Sequence, residues 1–413
     1  MRPNRAKHRL EAGVLSYVLS IGILVSVGLS MLILYVYYSR IEYKTYERKL
    51  RVNRNLHSAM QLTLGAASTF DYQKSYYFDL YDQGTDSVQI NKYAWGLLDL
   101  WHVMAVSYSD TASRWYTQAN TRKDITQSAI FLVDDGRPLS LSGKAKLEGD
   151  CYLPVSGVQS AYIDRVGYQN EELVYGEQLK SDKELPDFTL ESYFDRLDGI
   201  NGQPITLERD TIRNSFDQQP LVISNPADTL INVLLGNVLV KSRKRIVFDS
   251  LSSINEGALV TGSVIELRPG FQGSGQFLAT DTLFIRKDVK LTYPTILAVF
   301  NEDEPATIVM EEGSEVNGWL LIDGEEDGFR RRVIYIEDGA KVIGMVYCNG
   351  LLESYGTVNG HATVKRFLVN SMVGVYENYI LNATYKGAVL DSAFLGFENW
   401  FTTAEGQVLD YLY

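Results

Sequence analysis

Cysteine and histidine are scarce in this chain of 413 residues, and each scarcity excludes a class of protein. Two cysteines cannot build a disulfide-rich scaffold, and no CxxC pair is present for a zinc knuckle. Four histidines are too few and too scattered to indicate a metal cluster. Basic residues are also outnumbered, 39 against 51 acidic ones, and the net charge of −12 does not favour nucleic acid as a partner.

Motifs for catalysis and nucleotide binding are missing as well. The nearest approach to a P-loop has six residues between Gly136 and Gly143 instead of four, and Ala145 replaces the hydroxyl residue that follows the lysine. Neither GxSxG nor HExxH occurs. His102 and His361 have no histidine, cysteine or carboxylate at ligand spacing. We therefore expect no enzyme activity, no cofactor and no small-molecule substrate.

What is present is ample hydrophobic sequence with an uneven distribution of charge. Hydrophobic residues make up 45% of the chain and charged residues 22%, which favours folded domains, two or three by length. Residues 1–54 carry ten basic and three acidic residues, about +7. The remaining 29 basic and 48 acidic residues give −19. An acidic body on a basic, apolar N-terminus indicates two environments for one chain.

The segment 12–39 is predicted to be a transmembrane helix. It has 28 residues without a charge. A helix of that length spans about 42 Å, more than the roughly 30 Å hydrocarbon core of a bilayer. Tyr35, Tyr37 and Tyr38 lie at one end, where an aromatic belt belongs. A cleaved signal peptide is the alternative, although its apolar region would be shorter and would end at small residues.

The flanks of this helix bear on its orientation. Residues 1–11 form a basic leader, and residues 40–65 are predicted to continue as a helical stalk, because 40–64 contains neither proline nor glycine. Four basic residues precede the helix and six follow it. We expect a single pass of a cell inner membrane, with a cytoplasmic N-terminus and a periplasmic or extracellular body. The basic residues of the stalk either decorate a solvated surface or bind anionic lipid headgroups.

The N-terminus carries a family resemblance. Arg9-Leu10-Glu11-Ala12-Gly13, followed by Val14-Leu15 and a long apolar helix, resembles the minor pseudopilins of the type IV pilin-like class, particularly the PilX-like group. The resemblance covers about 55 residues, and it implies that a peptidase cuts between Gly13 and Val14. It further implies that the new N-terminus starts a helix that packs in a filament. The glutamate that most of these proteins carry at the fifth mature position is Val18 here.

The rest of the chain is predicted to be mainly β. Residues 66–124 are predicted to form an aromatic-rich collar, mixed α/β or all β, in which Trp95, Leu98 and Trp101 fit either helix or strand. The aromatic side chains are expected in its core, with sugar-binding platforms as the alternative. Residues 125–385 show short strands divided by glycine, and one pattern recurs: an acid, a glycine, an apolar residue and a second glycine. The glycines of this pattern are expected at corners between strands, where positive φ is needed; they are Gly257, Gly262, Gly313, Gly318, Gly339, Gly344, Gly356 and Gly360.

Repeated strand–corner units predict an irregular β-solenoid for 125–385, similar to bactofilin-type scaffolds. A β-sandwich with similar hairpin turns is the alternative. Residues 386–413 are expected either to cap the last coil or to dock on another protein. Cys151 and Cys348 are either a disulfide, if the body is extracytoplasmic, or buried free thiols.

These features together predict a non-enzymatic, membrane-anchored structural or assembly component, such as a pilin-like part of a pilus or secretion apparatus. Its expected partners are the lipid bilayer and other proteins, or further copies of itself. Two alternatives stay open: a membrane-tethered polysaccharide-active β-helix enzyme and a cytoplasmic-facing, polymer-forming scaffold. The enzyme would need acidic side chains to converge on one face, whereas clusters such as Glu325-Glu326-Asp327 lie beside glycines in expected turns.

Overall fold

The computed structural model describes residues 12–82, 84–121, 127–186, 188–197, 199–207, 210–226, 229–324, 331–387, 390, 394–396 and 406–412. The chain divides into two compact units. The first consists of Met1–Ala59, Tyr77–Gln89 and Met104–Ser113, and the second of Met60–Tyr76, Ile90–Val103 and Arg114–Tyr413.

The described elements are two α-helices, a 3₁₀-helix and 33 strands, numbered here in chain order. They are α1 (Ala12–Gly65), the 3₁₀-helix (Ala67–Thr69), β1 (Ser75–Phe78), β2 (Asp86–Trp95), β3 (Leu98–Ser107), β4 (Asp110–Asn120), β5 (Ile130–Leu132), β6 (Leu139–Ser142), β7 (Lys146–Glu148), β8 (Cys151–Leu153), β9 (Val158–Ser160), β10 (Tyr162–Ile163), β11 (Val166–Gly167), β12 (Gln178–Lys180), α2 (Glu191–Leu197), β13 (Gln203–Pro204), β14 (Thr211–Asn214), β15 (Leu221–Ser224), β16 (Thr229–Leu230), β17 (Val233–Gly236), β18 (Val238–Lys241), β19 (Arg245–Phe248), β20 (Ser253–Asn255), β21 (Leu259–Leu267), β22 (Gln272–Gly273), β23 (Gln276–Ile285), β24 (Lys290–Phe300), β25 (Ala306–Met310), β26 (Glu315–Asp323), β27 (Arg332–Ile336), β28 (Lys341–Ser354), β29 (Thr357–Asn370), β30 (Val375–Glu377), β31 (Tyr379–Leu381), β32 (Thr384–Lys386) and β33 (Gly406–Leu412).

Helix α1 is long and apolar enough to cross a membrane. Its most apolar 18-residue window has a mean hydropathy of 2.4, and none of that window is buried by the protein. The helix continues without a break through the predicted stalk to Gly65, because no proline interrupts its backbone hydrogen bonding. The predicted leader, 1–11, lies outside the described residues.

The segment predicted as a collar contributes four strands to one sheet, which is the all-β form of the two expected. Five strands lie in the order β1-β2-β3-β4-β33. Trp95, Leu98 and Trp101, whose pattern fitted helix or strand, lie in β2 and β3. A tight turn at Gly96, where φ is +63°, joins β2 to β3. A turn of this kind brings two strands together as a hairpin, so the residues on both sides of it are extended. The only helical turn here among the described residues is the 3₁₀-helix that follows α1.

The last described strand, β33, belongs to this sheet. It pairs antiparallel with β4, with Gly406 opposite Asn120 and Leu412 opposite Trp115. The two roles expected for 386–413, a cap on the last coil or a dock for another protein, stay predictions beside this pairing. The apolar side chain of Leu412 is 6% exposed and packs with the second of the two hydrophobic clusters, so burying it favours pairing at this sheet edge.

The body is mainly β, as predicted, and most of its strands join one sheet that closes on itself. Its pairings are parallel except where β29 turns back on β30. Successive strands stack in register, as in the column Val316, Val342, Val358, Tyr385 and Leu147. All five of these side chains are fully buried, and they belong to the cluster that fills the interior of the closed sheet.

The order of strands in this sheet departs from their order in the chain. Strand β5 stacks on β29, with Ile130 opposite Ala362, and β8 and β12 follow on its other side. The chain then enters a connecting segment, residues 181–202, which includes α2 and leads to β13. Described residues of this segment pack against the sheet. Leu190, for example, lies in the second cluster with Trp319, and its backbone N–H donates to Asp323.

Candidate functional site

The site residues expected from sequence lie at separate places in the described chain. Gly13 and Val14 lie in the first turn of α1, with Val14 half exposed. Six of the eight repeat glycines have positive φ, between +73° and +151°: Gly257, Gly313, Gly318, Gly339, Gly344 and Gly360. Gly262 and Gly356 do not. Gly262 lies at a register shift between β21 and β23, so a bulge and not a left-handed corner explains it.

Three of these glycines form a column. Gly318, Gly344 and Gly360 pair directly across β26, β28 and β29, with φ of +151°, +148° and +144°. A Cβ on Gly344 would overlap the carbonyl oxygen of Gly318, and one on Gly360 would overlap that of Gly344. The strands therefore approach so closely at this corner that only glycine fits.

Cys151 and Cys348 are free and buried. Their strands explain why they are not joined. Cys348 lies in β28 and Cys151 in β8, and two strands lie between them. β28 pairs with β29, β29 pairs with β5, and β5 pairs with β8. Three strand spacings separate them, roughly 14 Å, whereas a disulfide needs Cα atoms less than about 7 Å apart. Of the two states left open by the sequence, the structure has the buried free thiols.

A cleft in the second unit has the features of a ligand site. Its volume is about 840 Å³, within the range of small-molecule pockets. We call it the aromatic cleft, because five aromatic side chains line it: Tyr72, Tyr93, Trp95, Trp115 and Phe216. Its polar lining consists of Gln73, Arg196, Asn201, Asp217, Gln218, Gln219 and Asn237. Another depression runs along the apolar part of α1, between Leu15 and Leu34, and its lining comes from this one helix.

Strand geometry places the aromatic wall. Tyr93 and Trp95 are two residues apart on β2 and both line the cleft, because alternate side chains of a strand share a face. Trp115 comes from β4, and its ring lies 5.7 Å from that of Tyr93 and 6.4 Å from that of Phe216, centroid to centroid. Its indole N–H donates to Asp217 Oδ1 at 2.7 Å. Tyr93 and Trp115 are half-buried, so each ring is packed on one side and leaves part of its surface accessible to a ligand in the cleft.

A buried charge network supports Tyr72 and Arg196, which also line the cleft. Lys92 and Asp99 form an ion pair of 2.5 Å with side chains 7% and 4% exposed. The Tyr72 hydroxyl donates to Asp99 Oδ1 at 2.5 Å and accepts from Arg196 at 2.8 Å. The Arg196 guanidinium also lies over the ring of Tyr72, 4.4 Å from its centroid. These contacts fix Tyr72 and Arg196 at the cleft lining.

Two asparagines hold the turn that carries Phe216 and Asp217. Asn214 Nδ2 donates to the Gln219 carbonyl at 2.8 Å, and Asn237 Nδ2 donates to the Gln218 carbonyl at 2.8 Å. With Nδ2 so engaged, Asn237 Oδ1 is left as a buried acceptor that has no hydrogen-bond partner among the described residues. Asn237 is only 4% exposed and lines the cleft. Leaving such an acceptor unpaired costs about 1–3 kcal/mol.

A histidine lies behind the aromatic wall of the cleft. His102, behind Trp115, is partly buried, and this burial lowers its pKa, while the negative charge of Asp217 acts in the opposite direction. His102 is thus a neutral ring near pH 7. Within the described ranges, no three histidine, cysteine or acidic side chains gather where they could share a metal ion.

Sequence reasoning assigned the collar aromatics to a core, which is right for Trp101 and Tyr116, both fully buried. It missed the cleft and the contributions of Trp115, Arg196, Phe216, Asp217 and Asn237. One usable signal was present: Tyr93 and Trp95 alternate around Ala94, which is typical of a strand with an aromatic face.

Comparisons of this chain with protein-family models, with curated proteins and with solved structures found no match.

Proposed function

We propose that this protein is a membrane-anchored, non-enzymatic structural or assembly component. The observation that carries the proposal is α1: a continuous helix of 54 residues whose apolar window is wholly exposed. An exposed apolar surface of that size needs lipid or protein around it. In this proposal α1 crosses the inner membrane once, the N-terminus is cytoplasmic, and the body works in the periplasm or outside the cell among protein partners.

The closed parallel sheet is, in this proposal, an irregular β-solenoid. The in-register column from Val316 to Leu147 and the glycine corner at Gly318, Gly344 and Gly360 support it. Stacked coils of this kind bury a continuous core and make a stiff body. A stiff body of this kind suits a component on which other parts of an assembly dock.

The enzyme alternative finds less support. Glycoside hydrolysis ordinarily uses two carboxyl groups that flank the scissile bond. Among the described lining residues, the aromatic cleft offers one carboxylate, Asp217, and that carboxylate accepts the Trp115 N–H. Other acids pair with bases on the surface, for example Glu312 with Lys287 at 3.0 Å.

Membrane fractionation tests the anchor. Leu24 and Val27 lie in the apolar part of α1 and are 75% and 48% exposed. We expect the wild-type chain to stay in the membrane during alkaline carbonate extraction and the double variant Leu24→Arg, Val27→Arg to be released, because each arginine costs about 2.5–3.5 kcal/mol at a helix centre. Tyr108→Arg, at an exposed position outside the helix, is the control that should stay. Release of the wild-type chain would refute the proposal.

Two further measurements address orientation and assembly. Protease that is given access to the periplasmic or external side of the inner membrane should cleave the body, whereas protease confined to the cytoplasmic side should not. Intact and permeabilised cells are compared. N-terminal sequencing of the assembled protein should find Val14 if the pilin-like resemblance holds, and Gly13→Leu should block that maturation. A sequence that starts at Met1 or Arg2 would remove the pilin-like interpretation and leave the anchored scaffold.

A further inference from the structure

We propose that the aromatic cleft binds a neutral saccharide. This goes beyond the proposed function, because an anchored scaffold requires no ligand. The inference depends on the second unit alone, in which every described residue of the cleft lies.

The first argument is the shape and chemistry of the walls. Tyr93 and Trp115 are half-buried and tilted by 30° to each other, while Trp95 and Phe216 are buried beneath them. A flat aromatic ring can stack on the apolar C–H face of a pyranose ring. Aromatic walls with a few polar groups are also typical of small-molecule sites. Trp115 cannot swing away, since Asp217 holds its indole N–H.

The second argument is charge. Arg196 and Asp217 are the charged side chains of the described lining, one of each sign. A phosphate or a nucleotide is normally held by several cations or by a run of backbone N–H groups. The balanced pair favours an uncharged ligand.

The third argument is the pattern of hydrogen-bonding groups. Gln73, Asn201, Gln218 and Gln219 are exposed amides at the rim, and each amide both donates and accepts. Sugar hydroxyls also do both, so amides and hydroxyls satisfy one another. A peptide would instead need an ordered set of partners for its backbone.

The fourth argument is Asn237. Its Oδ1 is unpaired among the described residues, and only 4% of the residue is exposed. A ligand that brings an O–H or an N–H donor would satisfy this acceptor. Both a hydroxyl and an acetamido group can do so, which leaves the source of the donor to experiment.

Isothermal titration calorimetry with the full-length protein tests the proposal. The protein is held in zwitterionic micelles, because a detergent with a sugar headgroup would compete for the cleft. The probes are cellotetraose, which offers hydroxyl donors only, and chitotetraose, which adds acetamido donors. We expect at least one of them to bind and to change the tryptophan fluorescence of the wild-type protein.

Variants then locate the binding. Tyr93→Leu removes an aromatic face and keeps apolar volume, and we expect about a tenfold loss of affinity. Asn237→Leu removes the acceptor, with a similar expected loss. Tyr77→Leu, at an exposed position in β1 outside the cleft lining, is the matched control and should bind as the wild type does. Circular dichroism confirms that each variant is folded.

The outcomes are distinct. No heat and no fluorescence change with either tetrasaccharide overturns the proposal, as does equal binding by the wild type and Tyr93→Leu. Displacement of bound saccharide by a neutral aromatic peptide of higher affinity would assign the cleft to a protein partner instead. If Asn237→Leu fails to fold, Tyr93→Leu and the wild-type fluorescence still decide. Carbonate extraction is independent of all of these results, so the anchored-scaffold proposal stands or falls separately.

Discussion

The imidazole of His102 stacks on the indole of Trp115, with ring centroids 4.2 Å apart and planes 18° apart. The two residues lie on neighbouring strands, β3 and β4, and the stacked histidine forms the support behind the aromatic cleft. A neutral imidazole suits this position, since a charged one would have to be desolvated beside the ring.

This contact gives a pH dependence. Burial lowers the pKa of His102, so below the ordinary histidine pKa, about 6.5, the unfolded chain binds more protons than the folded one. Stability should therefore decrease as the pH falls from about 8 to about 5.5. His102→Phe keeps a stacked ring without a titrating group, and thermal unfolding should show a weaker decrease. His57→Phe, at an exposed site in α1, is the control. An unchanged pH slope in His102→Phe would contradict the prediction.

The glycine column gives a stability prediction. In Gly344→Ala the new Cβ would overlap the Gly318 carbonyl oxygen, at a φ of +148° that L residues rarely adopt. We expect a loss of about 2 kcal/mol or more in the free energy of unfolding by urea. Gly374→Ala is the matched control, because a Cβ there meets nothing within 4 Å. Equal stability of the two variants would show that the strands at this corner are farther apart.

Glu266 gives a contrast between buried and exposed acids. Its side chain is 7% exposed and lies between Arg245 and Arg286. Burial acts to raise its pKa, but hydrogen bonds and charge from the two arginines outweigh burial, and the pKa lies below the ordinary range of a glutamate. The carboxylate therefore stabilises the fold above that range, and the contribution is lost as the pH falls through the lowered pKa.

Glu266→Gln should consequently cost about 1–3 kcal/mol at pH 7 in urea unfolding and much less in acid. Glu312→Gln, whose side chain is 64% exposed beside Lys287, should change the free energy of unfolding by no more than about 0.5 kcal/mol. Glu326, in the acidic cluster 325–327 noted above, lies outside the described residues. A Glu312→Gln variant as destabilised as Glu266→Gln would contradict this account.

The two cysteines give a labelling prediction. Burial raises the pKa of the Cys151 thiol to about 12, and Cys348 is fully buried, so neither should react with a maleimide near neutral pH until the protein unfolds. Ser156→Cys, at an exposed turn, supplies a thiol that should label at once. Mass spectrometry should find no mass change on reduction; a gain of two hydrogens would show that the thiols are joined.

The sequence predicts best where a signal is local. The apolar run in α1 needs no partner to be recognised, and a glycine after an acid predicts a turn such as Glu337–Ala340, where the Ala340 N–H donates to the Glu337 carbonyl. These two signals account for the helix and for the strand-rich body with glycine turns.

Contacts between distant segments were not predictable in this way. The pairing of Leu412 with Trp115 and the meeting of Tyr93 with Phe216 depend on which surfaces cover one another after folding. Hydrophobic periodicity predicts which residues of an element are buried, but it does not predict which distant residue each of them contacts. Gly262 makes the same point, because its motif matches that of Gly318 while its backbone conformation does not.

The pairing of Ile130 with Ala362 has a consequence for biosynthesis. β5, β8 and β12 leave the ribosome early, but the strand against which β5 stacks is translated near the end of the body. Until then one edge of these strands has no partner and is open to pairing with other nascent chains. The sheet therefore closes only once translation has passed β29, and a chain stalled before Thr357 is expected to aggregate, not to fold into a shorter version of the same body.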